Sequence, residues 1–366
     1  MKILYVINSP CWTEIAPSGL NNSNMFSNEL SENFTFFYFN LMKFGLVNKV
    51  IIFVQDKRWR NDHNIKKKIV TEYGELEIRH DTNKFQEINS DKEMNFVYCW
   101  SNIEECSKIK NKFIIVDNQF HGYIRKSLIN PKIHDLVLTE SKNFKKYIPK
   151  NIPIYVYKLI SYDHEYSELT NNNQKKIKKY DWIMVSSFDK RKRHIEFLNL
   201  LQSYNLSNLK GCIIARDPNN KKKKIIDLFK KTPWKVYKSV KKLQKLMNFD
   251  IFINTHQSKK IELTLSSKVF VNISSLDSGP RAQVEAFQLN TPVLSMPHIG
   301  SSDLIEIGRN GEIAENFDDI PNKLKIMLDN YDRYSLNTFD KYLKSDVMMP
   351  NLVQNIKDNF KKKLNA

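Results

Sequence analysis

Short unbroken apolar runs punctuate an otherwise polar chain. Ile3 to Ile7, Lys49 to Asp56, and the runs within EMNFVYCWS, NKFIIVDNQFHG, DLVLTES (Asp135 to Ser141) and IPIYVYKL (Ile152 to Leu159) follow one another at spacings that leave room for helices. Runs of this length without strict alternation are the mark of strands buried on both faces of a parallel sheet. Between the first two runs lies a polar, irregular stretch, Asn8 to Asn33, with Pro10, Pro17 and Gly19. An aromatic-rich segment then follows from Phe34 to Phe44, closed by Gly45. It predicts a helix ending on a glycine, although so many aromatics leave a strand open. NIEECSKIKN predicts a short helix between two strands.

From Ile160 to Lys179 the chain is polar and aperiodic, which marks a linker. A second alternation starts at DWIMVSSF (Asp181 to Phe188). It continues through the helix HIEFLNLLQSY, the strand KGCIIARD, a lysine-rich helix after Asn220, the strands FDIFINTH and SKVFVNIS, a helix carrying Glu285, the strand TPVLSM and the final helices. Two such alternations predict two doubly wound α/β domains facing across a cleft, at residues 1–165 and 175–345. In sheets of this kind, ligands sit at the carboxyl ends of the strands. Residues 346–366 predict a terminal helix, capped by Asn351 after a stop at Pro350, which can cross back to the first domain. Its stripe is Leu352, Ile356 and Phe360, and Lys361, Lys362 and Lys363 suit its C-terminal end.

Composition narrows the choices. With 366 residues the chain is long for one domain and comfortable for two. The 16 tyrosines and 22 phenylalanines are enough for substantial cores and exclude a disordered chain. The four cysteines (Cys11, Cys99, Cys106, Cys212) show no CxxC spacing and read as reduced thiols. No apolar run approaches the ~20 residues that span a bilayer, and the first strand is too short for a signal peptide. The expectation is a cytoplasmic protein, able to sit peripherally at the inner face of the membrane. A net charge of +18 points to an acidic partner: phosphorylated substrates, an anionic membrane surface or nucleic acid. Part of this excess reflects a composition rich in Asn, Lys and Ile.

The stretch KVFVNISSLDSGPRAQVEAFQLNTPVLSM carries the densest chemistry. A strand runs into a small-residue loop and then a helix. Pro280 suits the first helical position, where its missing N–H costs nothing. Gly279 lets bare backbone approach a ligand, and a helix N-terminus offers N–H groups to a phosphate. Asp277 stands in the loop, and Glu285 lies eight residues later, less than two turns into the helix. Two carboxylates so placed can each accept a pair of sugar hydroxyls. In isolation the same spacing is a capping aspartate and a solvated glutamate.

From Asp277 to Gly311 the residues Asp277, Gly279, Pro280, Arg281, Glu285, Ala286, Phe287, Thr291, Pro292, Val293, Gly300, Ser302, Leu304, Ile305, Asn310 and Gly311 follow, in order and spacing, a known family pattern. The segment resembles the C-terminal half of the family-4-like retaining glycosyltransferases of GT-B fold (glycosyl transferases group 1), whose motif is acidic–x7–acidic. The resemblance implies that Glu285 binds the ribose hydroxyls of the nucleotide and that Asp277 contacts the donor sugar, although the family usually has Glu there. The backbone from Ser278 through Gly279 and Pro280 to Arg281 would lie against sugar and phosphate. The family also carries a glycine–arginine pair after the first strand of this domain, with a lysine five residues beyond the arginine, as a clamp on the donor diphosphate. Here Lys192 falls at the lysine position, Ser187 at the arginine and Ser186 at the glycine, with Lys190, Arg191 and Arg193 as nearby cations. In the first domain His121 follows a strand where the family often places a histidine facing the donor sugar. The implied chemistry is front-face transfer with retention, with no metal and no resident cofactor; Asp163-His164-Glu165 is read as a chance string rather than a D-x-D metal motif.

The expected partners are a nucleotide sugar as donor and a glycan or lipid-linked acceptor, in surface-glycan synthesis. Two rival functions remain. One is a phage-type glycosyltransferase acting on modified DNA bases. The other is a basic nucleic-acid-binding protein that no longer catalyses, which the missing arginine at Ser187 would suit. The lysine-rich stretch from Asn219 to Lys245, with Trp234 and Tyr237 interleaved, fits nucleic acid, anionic lipid or a plain solvated helix face.

Overall fold

The computed structural model describes residues 2–7, 33–54, 68–80, 83–100, 103–117, 129–139, 141–142, 145, 148–157, 177–215, 231–275, 277, 281–297, 300–335 and 345–365. The chain forms two compact units, Met1–Ser161 with Tyr342–Ala366, and Tyr162–Lys341.

In the first unit the elements run β1 (Ile3–Ile7), α1 (Asn33–Lys43), β2 (Lys49–Val54), β3 (Lys68–Thr71), β4 (Gly74–His80), α2 (Lys84–Ser90), β5 (Phe96–Trp100), β6 (Phe113–Asp117), β7 (Leu136–Thr139) and β8 (Ile154–Val156). They build one eight-stranded sheet in the order β3-β4-β2-β1-β5-β6-β7-β8, parallel except for the antiparallel β3–β4 pair. Alternate residues feed two cores. Leu4, Val6, Tyr98 and Ile115 face one way, and Tyr5, Ile7, Cys99 and Val116 the other. That double burial is why these strands read as continuous apolar runs.

Helix α1 stops where the sequence says it should. Gly45 takes a left-handed φ of 70°. Its N–H bonds the Met42 carbonyl and the Leu46 N–H bonds that of Leu41, the reciprocal pair of a glycine-ended helix. The β3–β4 hairpin and α2 were not expected. The short helix expected within NIEECSKIKN is present at Ile103–Lys108 as a two-turn 3₁₀ helix. Cys99, Cys106 and Cys212 are buried free thiols, while Cys11 lies outside the described residues.

The second unit contains β9 (Tyr180–Val185), α3 (His194–Ser203), β10 (Gly211–Ala215), α4 (Lys231–Leu243), β11 (Phe249–Ile253), α5 (Gln257–Leu265), β12 (Ser267–Asn272), α6 (Arg281–Gln288), β13 (Val293–Ser295), β14 (Gly311–Ile313), α7 (Ile320–Asp329) and α8 (Tyr331–Ser335). Its six strands are all parallel, in the order β11-β10-β9-β12-β13-β14. Relabelled within this unit the order is 3-2-1-4-5-6, the dinucleotide-fold order, whose direction reverses between β9 and β12. β9 is seated by Trp182, whose ring lies so close to Gly211 that a Cβ there would come within 1.9 Å of it.

Helix α9 (Ser345–Leu364) follows the second unit in sequence but belongs to the first. Leu352, Ile356 and Phe360 are buried in the same core as Leu4 and Val6, joined by Met349 and Val353. Phe360 packs against Phe96 in a tilted pair, with ring centroids 4.7 Å apart. The expected start at Asn351 is wrong. The helix begins at Ser345 and runs through Pro350, and the Asn351 side chain donates to the Val347 carbonyl instead of capping. An interior proline costs about 3 kcal/mol; burial of Met349 and Leu352 on either side of it supplies the opposing term.

Candidate functional site

The reversal point of the second sheet is where a doubly wound fold opens a crevice, and a pocket lies there. The carboxyl ends of β9 and β12 flank it, and Ser186, Lys192, Asn272, Ser274, Asp277 and Ala282 line it. Asp277 reaches it because β12 ends at Asn272 and the following loop is tied back. The Ser275 N–H bonds the Arg191 carbonyl at 2.8 Å, and the Asp277 carbonyl accepts from Gly300 N–H at 2.9 Å.

Both expected acids are buried, each only 6% exposed, and each meets a lysine. Lys192, on a 3₁₀ turn at Lys190–Lys192, donates to Asp277 Oδ2. Lys260, on α5, donates to Glu285 Oε2 at 2.7 Å. Burying a carboxylate without a partner is costly, and an adjacent ammonium offsets that cost. Beneath the pocket the Asn272 amide donates to Gln283 Oε1 at 2.8 Å and accepts from the Ser274 hydroxyl at 3.1 Å.

The turn that presents Lys192 is built locally. Asp189 accepts from the Arg191 N–H at 3.1 Å and from its guanidinium at 3.0 Å. Arg193 then takes a left-handed φ of 56° to start α3. Behind this turn His194 is fully buried. Burial and the neighbouring Lys192 ammonium push its pKa down to about 3, against a smaller opposing pull from Asp189. Its Nε2 lies 3.0 Å from Ser186 Oγ.

The structure thus brings Asp277 and Lys192 together and places Glu285 on the following helix. Arg191 is engaged with Asp189. Ser187 is exposed and is not part of the pocket lining. Arg281 opens α6. His121, Ser278, Gly279 and Pro280 lie outside the described residues, as do Gly19 and the Asp163-His164-Glu165 string. Sequence reasoning missed Lys260, His194 and the pocket role of Ser186. Lys260 sits on a helix that had not been recognised. The signal for Ser186 was present, because it occupies the glycine position of the family pattern immediately after β9.

Residues 166–342 match the sequence model described as Glycosyl transferases group 1. The fold is shared with solved structures at low sequence identity. HepE of Anabaena in complex with UDP aligns over all of both chains at 12% identity and a TM-score of 0.60. The E. coli trehalose-6-phosphate protein bound with UDP-2-fluoro glucose aligns at 8% identity and a TM-score of 0.66, over 97% of this chain and 99% of that one. The pneumococcal O-GlcNAc transferase GtfA, solved with UDP and GlcNAc, aligns at 10% identity and a TM-score of 0.54, over 82% of this chain; the alignment spans 64% of GtfA. No curated protein sequence matches. Two Rossmann-like units in this arrangement of strands are the GT-B fold. The sequence match falls on the second unit, and the solved structures share the fold of both.

Proposed function

We propose that the protein is a retaining glycosyltransferase that moves a sugar from a nucleotide-diphospho-sugar to an acceptor hydroxyl without a metal. The observation that carries this reading is the pair of buried, lysine-matched acids, Asp277 and Glu285, beside the reversal point of a six-stranded parallel sheet. In this reading Glu285 accepts the ribose hydroxyls, Asp277 orients the donor sugar, and Lys192 leaves Asp277 to meet the diphosphate. Departure of a nucleoside diphosphate builds negative charge on its oxygens. A preorganised ammonium stabilises that charge as it develops, which gives Lys192 the role a metal ion fills elsewhere. The backbone around Ser278 to Arg281 completes the phosphate contacts.

The acceptor in this reading is a glycan or a lipid-linked glycan, met on the cytoplasmic side. Helix α4 presents exposed Lys235, Lys238, Lys241 and Lys242, suited to an anionic membrane surface. Among the described residues no helix is long and apolar enough to cross a membrane.

The test is a metal-free thermal-shift series with UDP-, GDP-, ADP-, dTDP- and CMP-sugars, with Glu285→Ala run in parallel. One nucleotide class should stabilise the wild type and not the variant. A folded wild type that responds to none of them at millimolar ligand sinks the proposal and makes duplex DNA the next ligand to try.

A further inference from the structure

We propose that Ser186 is a hydrogen-bond donor to the diphosphate of the donor substrate, held in that role by His194. The inference rests on the reading of this pocket as a nucleotide-sugar site and adds two residues to it.

Ser186 is the first residue beyond β9 and lines the pocket beside Lys192. Its backbone N–H is already committed, bonding the Ile214 carbonyl at 3.0 Å. Only its hydroxyl can therefore serve a ligand. That hydroxyl oxygen lies 3.0 Å from Nε2 of His194, and the proton can sit on either side of the contact.

The rest of the imidazole decides which. Nδ1 is buried and, among the described residues, has no hydrogen-bond partner. Were the ring proton on Nδ1, a buried N–H would be orphaned, the rarer and costlier defect. An acceptor nitrogen without a partner is better tolerated. The ring is neutral because burial and Lys192 both oppose a second proton. The single proton accordingly sits on Nε2 and is donated to Ser186 Oγ. The serine's own proton then points away from the ring.

The neighbouring polar groups each already donate within the protein. Ser274 donates to Asn272, the Asn272 amide donates to Gln283, and Lys192 donates to Asp277. Ser186 is left as a neutral donor at the end of a strand on the reversal point. A diphosphate is acceptor-only, and hydrogen bonds to an ionised acceptor are the strong kind. The position beside it, Ser187, is exposed and brings no cation to the pocket. Ser186 therefore adds a neutral donor beside the Lys192 ammonium, and His194 is a positioning residue that acts through it.

Titration calorimetry with UDP and with uridine separates a phosphate contact from a general loss of fold. Ser186→Ala is expected to weaken UDP about tenfold, the value of one modest charge-assisted hydrogen bond, and to leave uridine unchanged. Ser186→Thr, which keeps a hydroxyl, is expected to stay near wild type. His194→Gln places an amide donor near the Nε2 position and is expected to bind UDP more tightly than His194→Leu. Unchanged UDP affinity in Ser186→Ala, or an equal loss for uridine, overturns the proposal. If His194→Leu is folded by its melting curve and binds UDP as the wild type does, the positioning role is wrong. If the wild type binds neither UDP, GDP nor ADP at millimolar concentration, it is the underlying reading of the pocket that fails, a result distinct from a silent serine.

Discussion

Lys260 and Glu285 meet at 2.7 Å across two helices, joining a side chain of α5 to the second acid of the acidic–x7–acidic motif. The glutamate is thus supplied with a counter-charge before any ligand arrives. On the proposed reading, a ribose hydroxyl meets a carboxylate already fixed in place, rather than one that must first be ordered.

That pairing predicts unequal effects from two adjacent lysines. Lys260→Met leaves Glu285 buried and unmatched; its cost should lie between that of an exposed pair and a fully buried one, about 1–3 kcal/mol. Lys259 pairs with Glu262 at 2.6 Å, but both side chains are about half exposed, and Lys259→Met should cost well under about 1 kcal/mol. Urea denaturation of the two variants checks this. Equal midpoints would show that the Glu285 pair has no special weight.

Lys192 should show its value in turnover more than in binding. Removing one preorganised donor to a developing oxyanion costs about 100- to 1,000-fold in kcat. Lys192→Met is expected to lose at least the lower figure while KM for the donor changes far less. Steady-state kinetics with the nucleotide sugar found in the thermal-shift series measures both constants. A variant that lost only KM would make Lys192 a binding group without a part in leaving-group departure.

The buried neutral His194 gives stability a pH dependence of known sign. Its folded pKa, about 3, lies below the ordinary value of 6.5, so the unfolded chain binds the extra proton first as pH falls. The contribution is whole above pH 6.5 and is lost progressively between there and about 3. Across pH 6 to 4, unfolding free energy should fall by up to about 1.4 kcal/mol per unit more in the wild type than in His194→Leu. Chemical denaturation at a series of pH values reads the difference, and parallel slopes would place the imidazole in contact with solvent.

Phe360→Ala should destabilise the first unit by about 3 kcal/mol or more, because the ring is buried against Phe96 and Phe113. Lys362→Ala, on an exposed position of the same helix, should be silent. Two-phase melting, with only one phase moved by Phe360→Ala, is the expected pattern. A shift of both phases by the same amount would contradict separate units.

Most strands of both sheets were legible because parallel strands buried on two faces are dominated by apolar residues, as in Phe113–Asp117 and Leu136–Thr139, while the three-residue β14 was not expected. Nor was the β3–β4 hairpin, because it is an edge. Lys68, Glu75, Glu77 and Arg79 make its ion pairs, and charges so dense hide a strand pattern. Helix α5 escaped notice because nine residues between two strands, two of them adjacent lysines, show little periodicity; with it went Lys260. Pro350 was misread because a local rule about proline was applied where tertiary burial decides. In the site, Asp277, Glu285 and Lys192 stood out through the resemblance to a family pattern, since their spacing in isolation reads as a cap and a solvated helix face. Ser186 was placed at the glycine position of that pattern, but its role and that of His194 depend on a 3.0 Å contact and on the burial of the imidazole, which no sequence shows.

The terminal helix also sets an order of events during synthesis. Strands β1 to β8 leave the ribosome first, yet the face bearing Leu4 and Val6, covered in part by Phe37, Tyr38, Leu41 and Met42 of α1, is completed only by residues made after the whole of the second unit. Chains grow at roughly 5–20 residues per second and domains usually fold in the order they are made. Here the second unit is complete while the first still lacks the part of its core that the terminal helix supplies, so the unit begun first is finished last. The nascent chain carries that unfinished core through the translation of some two hundred residues, an interval of roughly ten seconds or more at those rates. During that interval a chaperone has something to hold.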